Sequence, residues 1–190
     1  MPGKAGSRVS LSSIPTWYAG YLFRSKTEAR WCVFLDELDV KWEYEVQGFD
    51  ADGTWYLPDL VIFPACCTLW AEIKGAWDSD PAGVARWRKF AAWRPQPSRA
   101  VLMVGTPAPR APVMVIGGAE DQPGGSWEDV HEWRPCPSGH HFDLCYAGTF
   151  RSKYAEDGCE PCANDGEERI ERAVRKARSY RFAKPPAPEA

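Results

Sequence analysis

The spacing of apolar residues changes several times along this chain, and each change marks a predicted element. Trp31, Phe34, Leu35 and Leu38 recur at helical intervals behind Ser25, which can cap a helix running from Ser25 to Leu38. Val40, Trp42, Tyr44 and Val46 then alternate with Lys41, Glu43 and Glu45, the period of a strand. Asp50-Ala-Asp-Gly53 supplies the turn of a hairpin. Two further strands are predicted at Trp55 to Phe63 and Thr68 to Lys74, and Asp78 to Pro81 opens a helix that reaches Trp93. Past the proline-rich Arg94 to Ser98, the continuous apolar runs Ala100 to Gly105 and Pro112 to Ile116 read as buried strands.

The pattern then breaks. Gly117 to Gly125 holds four glycines and a proline, a plausible boundary. Trp133 to Ala163 concentrates Cys and His with too little aliphatic content to fold on a hydrophobic core alone. Glu167 to Ala183 returns to helical spacing, with Ile170, Ala173, Val174 and Ala177 on one stripe and basic residues over the rest. The predicted division is a flexible arm over 1–17, a mixed α/β core over 18–118, a small module over 126–166 and a basic helix over 167–184.

Composition narrows the class. The 190 residues are 44% apolar, enough to bury the core of one domain plus a small module. The longest apolar stretch, Leu60 to Ala71, is about half the roughly 20 residues a membrane helix needs, so no membrane partner is expected. Met1 to Ser13 lacks the apolar core of a secretory signal, which points to a cytoplasmic protein. A formal charge of −3 excludes a uniformly basic coat, and any nucleic-acid binding must come from local patches. Of the seven cysteines, Cys32, Cys66 and Cys67 lie in apolar segments, whereas Cys136, Cys145, Cys159 and Cys162 cluster late. In a reducing compartment such a cluster points to metal before disulfides.

Strand alternation locates a first candidate site. In Thr68 to Lys74, Leu69, Ala71 and Ile73 face one way while Trp70, Glu72 and Lys74 face the other. If the strand carrying Asp59 pairs with it as a hairpin, Asp59 approaches Glu72. Two carboxylates forced together repel unless a cation lies between them, and hard oxygen ligands with room for water favour Mg²⁺ or Mn²⁺. Glu28 shares its helical stripe with Trp31, Cys32 and Leu35 and should point toward the sheet, although a capping box with Ser25 explains it equally.

Glu28, then Pro58-Asp59, then Glu72-Ile73-Lys74 resembles the PD-(D/E)XK nuclease superfamily, over about Tyr18 to Gly105. The resemblance implies a restriction-endonuclease-like central sheet flanked by helices. It also implies that Asp59, Glu72 and the carbonyl of Ile73 bind Mg²⁺ or Mn²⁺, with Glu28 holding the ion directly or through water. Lys74 would then position or deprotonate the attacking water and stabilise charge on phosphate. The Gln-x-x-x-Tyr element of RecB-like exonucleases is missing after the lysine, and Arg86, Arg88 and Lys89 stand there instead. They are placed to contact phosphate, with a solvated helix face as the alternative.

Cys136 and His140 are separated by 18 residues from Cys159 and Cys162, the spacing of two ligand pairs in a closed tetrahedral zinc site. Trp133-x-x-Cys136-x-x-Gly139-His140-x-Phe142 and Gly158-Cys159-x-x-Cys162 also resemble small zinc-ribbon or treble-clef modules, which favours His140 over His141. Cys145 is a competing ligand, and disulfides among the late cysteines remain an alternative. Arg151 and Lys153 lie between the ligand pairs, and Arg172, Arg175, Lys176 and Arg178 on the following helix; together they would form a phosphate-binding surface. The combined expectation is a Mg²⁺-dependent DNA endonuclease with a structural Zn²⁺ module that grips DNA. A non-catalytic DNA-binding protein on the same scaffold is the alternative. Cutting both strands of a duplex would favour a homodimer.

Overall fold

The computed structural model describes residues 13–64, 68–77, 79–108, 113–116, 130–135, 142–146 and 163–184. They form a mixed α/β arrangement.

The chain begins with a hairpin, β1 (Thr16–Tyr18) and β2 (Tyr21–Phe23). Ala19 and Gly20 between them have φ of 49° and 87°, a two-residue turn whose twist suits the strands. Strands of three residues are too short to show a period, so Thr16 and Trp17 read from sequence as part of the arm. Helix α1 (Lys26–Glu37) starts where Ser25 caps it, and the Glu28 amide donates to Ser25 Oγ at 3.2 Å. It is followed by β3 (Lys41–Tyr44).

A second hairpin, β4 (Phe49–Ala51) and β5 (Thr54–Tyr56), turns through Asp52 and Gly53 at φ of 49° and 76°. It forms a two-stranded sheet of its own. The single strand expected over Trp55 to Phe63 is therefore divided into β5 and β6 (Leu60–Phe63). Pro58, between them, lacks the N–H that a continuous ladder would need.

The main sheet continues through β7 (Thr68–Lys74), then crosses by helix α2 (Pro81–Trp93) to the parallel strand β8 (Ser98–Val104). Asp80 caps α2 and Pro81 opens it, as its sequence predicts. Strands β9 (Val113–Ile116), β10 (Val130–Pro135) and β11 (Phe142–Tyr146) follow, and helix α3 (Ala163–Ser179) comes last. The order is β11-β10-β9-β8-β7-β6-β3, antiparallel except for β7 and β8. Residues on either side of the glycine-rich 117–125 thus belong to one sheet: β10 and β11 add to its edge instead of starting another.

The two faces of this sheet pack differently. Leu60, Ile62, Leu69, Ala71, Ile73, Val101 and Met103 lie in one apolar core with Trp31, Phe34 and Leu35 of α1 and Ala173, Val174 and Ala177 of α3. Trp133 of β10 joins this core, edge-on to Phe34. On the other side, Ala100 and Leu102 pack with Trp87, Phe90 and Ala91 of α2 and with Phe49, Ala51 and Tyr56 of the second hairpin. Burying one such large side chain contributes about 1.5–3 kcal/mol. No helix among the described residues is long and apolar enough to cross a membrane.

Candidate functional site

Register brings the predicted acids together. Leu60 pairs with Ala71 and Val61 with Trp70 in the antiparallel β6–β7 ladder, so Asp59, one residue before β6, lies across from Glu72. Glu72 and Lys74 leave β7 on the α2 side, opposite to Leu69, Ala71 and Ile73, as alternation requires. Asp59 and Glu72 are only 5% and 6% exposed, burial that a carboxylate tolerates only with partners.

Those partners come from several elements. Asp59 Oδ2 accepts the Ile73 amide proton at 2.7 Å, and its Oδ1 accepts from the Arg24 guanidinium at 2.8 Å. Glu72 Oε1 pairs with Lys74 Nζ at 2.6 Å, while its Oε2 accepts from the Tyr56 hydroxyl. Lys74 Nζ also reaches Asp80 Oδ2 at 3.2 Å, and Asp80 Oδ1 accepts the Gly83 amide proton at 2.8 Å. Gly83 is required by this approach: a Cβ there would stand 1.9 Å from Asp80 Oδ2 and 3.0 Å from Lys74 Nζ.

Glu28 sits beside this cluster in the first turn of α1, 6% exposed. Ser25 Oγ donates to its Oε1 at 2.6 Å, and the Arg24 amide and the Tyr44 hydroxyl donate to Oε2 at 3.2 and 3.1 Å. The capping box considered from sequence is formed in its first half, the Glu28 amide donating to Ser25 Oγ, while the Glu28 carboxylate accepts from the amide of Arg24, one residue before the cap. The Glu28 charge still acts on Asp59. Burial, then the charges of Glu72 and Glu28, push the Asp59 carboxyl well above the usual carboxylate range, against the Ile73 amide and Arg24.

Lys74 responds in the opposite sense. Burial draws its proton affinity down, but the hydrogen bond and charge of Glu72 and the contact with Asp80 outweigh this, so it holds its proton more tightly than a free lysine. The Gly83 amide and Lys74 keep Asp80 below its ordinary value. Burial and Glu72 push the Tyr56 phenol up.

Among the described residues, no three Cys, His, Asp or Glu side chains are gathered closely enough to hold a metal ion by themselves. The donors at Asp59 and Glu72 nevertheless fit a hard divalent cation. They are two buried carboxylates on paired strands, and Mg²⁺ typically keeps several waters and takes only one or two carboxylates from the protein.

Sequence reasoning missed Arg24, Tyr44, Tyr56 and Asp80 as members of this cluster. Arg24 precedes the helix cap and belongs to no periodic pattern. Tyr56 lies beyond the strand break at Pro58, so alternation does not carry its side to Asp59. Asp80 reads from sequence only as part of a helix opening, and its second role depends on where Lys74 reaches.

The predicted nucleic-acid contacts divide. Arg86, Arg88 and Lys89 are exposed on α2, and the charge of Arg86 is felt at Asp80 and Tyr56. On α3, Arg172 Nε lies 3.1 Å from Glu37 and the Arg175 guanidinium 3.4 Å from Glu171, while Lys176 and Arg178 have exposed side chains. Cys136, His140, Cys159 and Cys162, with Arg151 and Lys153, lie outside the described residues. No protein-family model matches the chain, and neither the curated proteins nor the solved structures give a match.

Proposed function

We propose that this protein is a metal-dependent DNA endonuclease of the PD-(D/E)XK type, with a restriction-endonuclease-like core that hydrolyses phosphodiester bonds. One observation carries the reading: a buried Asp59–Glu72 pair shares one face of the sheet with Lys74, next to an acid from the first turn of α1. Neither a turn after Pro58 nor a solvated strand face explains two carboxylates so buried on paired strands.

In this reading Asp59, Glu72 and the carbonyl of Ile73 would hold Mg²⁺ or Mn²⁺, with Glu28 acting through water. The bound ion would supply Lewis acidity and a water of lowered pKa. In the ion-free protein Lys74 keeps its proton, and its ammonium would donate hydrogen bonds to the attacking water and to the oxygens of the phosphate as negative charge builds there. Glu72 and Asp80 hold the ammonium in place from two sides. The exposed Arg86 on α2 would meet a neighbouring phosphate. The proposal extends to a structural Zn²⁺ on Cys136, His140, Cys159 and Cys162, since three thiolates and one imidazole make a closed tetrahedral set.

The test is incubation of the full chain with Mg²⁺ or Mn²⁺ and linear, nicked, mismatched, flapped and four-way DNAs, with RNA alongside. Cleavage of at least one DNA that is lost in Asp59→Ala supports the proposal. Intact substrates throughout would leave a binding scaffold, and cleavage of RNA alone would make it a ribonuclease.

A further inference from the structure

Two cations neutralise the buried acids, and they are held very differently. Lys74 is 17% exposed and fixed between Glu72 and Asp80. The Arg24 side chain is 59% exposed, although one of its terminal nitrogens lies 2.8 Å from Asp59 Oδ1 and 2.6 Å from Glu45 Oε1. Its backbone is anchored, because the Arg24 amide donates to Glu28 Oε2 and to the Tyr44 hydroxyl, both at 3.2 Å. An arm with a fixed base and a solvent-exposed stem thus places a guanidinium on the one carboxylate that faces Glu72 across the ladder.

Building on the metal-site reading above, we propose that Arg24 is an exchangeable counter-ion. It pairs with Asp59 until a divalent cation takes that carboxylate, and the released guanidinium then binds the substrate phosphodiester. A carboxylate oxygen that accepts a guanidinium proton is a poorer ligand for a cation. Two positive groups also cannot crowd one buried oxygen without mutual repulsion. Glu45, whose side chain is largely buried, gives the arm a second partner, so leaving Asp59 does not leave the guanidinium unpaired. A planar guanidinium makes two parallel hydrogen bonds to a phosphate, a geometry that the locked ammonium of Lys74 cannot offer.

The two halves predict opposite effects from one substitution. Mn²⁺ binding by the full chain without nucleic acid, measured by titration calorimetry, should be about five-fold tighter in Arg24→Gln, the value of one partly exposed ion pair. Affinity for an oligonucleotide in Ca²⁺ should fall by a similar factor. Arg24→Lys, which keeps the charge, should give intermediate values and serves as the readout if the glutamine variant fails to fold. Unchanged or weaker Mn²⁺ binding in both variants would overturn the role of Arg24 while leaving the metal site standing, because Arg24 would then merely orient Asp59. Tighter Mn²⁺ binding without loss of oligonucleotide affinity would overturn the transfer to phosphate. Absence of Mn²⁺ binding by the wild type would overturn the metal-site reading, and this inference with it.

Discussion

The two faces of the central sheet use the same strands for different ends. On the α1 and α3 side, β7 contributes Leu69, Ala71 and Ile73 to an uninterrupted apolar core. On the α2 side it contributes Trp70, Glu72 and Lys74, and an aromatic cluster of Phe49, Tyr56 and Phe90 lies beside buried charge. The first face stabilises the fold at every position. The second sets Asp59 against Glu72, with the charge of Glu28 reaching it from the first turn of α1, an arrangement that raises the free energy of the ion-free protein unless a proton or another cation intervenes. A strand can carry such a cluster because its opposite face is fully packed, which is the general form of a trade between stability and activity.

Substitutions at residues of β7 that face opposite ways should separate the two faces. Leu69→Ala removes a fully buried side chain and should destabilise the protein by about 2–5 kcal/mol in urea unfolding. Lys74→Gln, whose amide can still donate a hydrogen bond to Glu72, should instead leave the fold standing and lower cleavage by about 10²–10³-fold, the usual effect of removing one charge-stabilising donor. A loss of stability on the scale of Leu69→Ala from this variant would break the distinction.

Gly83→Ala tests how far the α2 face depends on close approach. The new methyl group displaces the Asp80 carboxylate, so the loss of a helix cap, about 1 kcal/mol, offsets the gain of alanine over glycine in a helix. Net stability should move by less than about 1 kcal/mol while cleavage falls, because Lys74 loses one of its two anchors.

A smaller effect follows from pH. The folded-state pKa of Asp59 lies above its unfolded value, so the ion-free native state binds more protons there than the unfolded chain does. Its penalty is absent below about pH 4 and grows as pH rises toward the folded value. Unfolding free energies of wild type and Asp59→Asn should therefore diverge with rising pH, in favour of the variant; parallel curves would contradict the buried-charge assignment. Smallest of all, Arg172→Ala breaks an exposed pair with Glu37 and should change stability by less than about 1 kcal/mol, since α3 is held by Ala173, Val174 and Ala177.

Long periodic segments were legible in the sequence, and short or non-local ones were not. The stripes of α1 and α3 and the alternation of β7 repeat over enough residues to name both the element and its buried side. From β7 alone, Glu72 and Lys74 could be set on one face, and the Asp59 contact then needed only the hairpin register. The three-residue strands β1, β2 and β4 repeat too little to be read, and Pro58 divides into β5 and β6 a run whose composition looks continuous. The edge position of β10 and β11 was hidden for another reason. Their partner β9 lies across a glycine-rich segment, and a shift in composition says nothing about which strands pair. Arg24, Tyr44, Tyr56 and Asp80 reach the acids from four different places in the chain, so only the assembled fold collects them.

Thermal unfolding with added Mn²⁺ tests most directly whether the charged face is built for a cation. An ion that binds only the native state stabilises it by about 2.7 kcal/mol at a hundred times its Kd, which is about 5–10 °C for a chain of this size. The wild type should show that rise and Asp59→Asn should not. A wild-type Tm indifferent to Mn²⁺, or an equal rise in Asp59→Asn, would contradict the site.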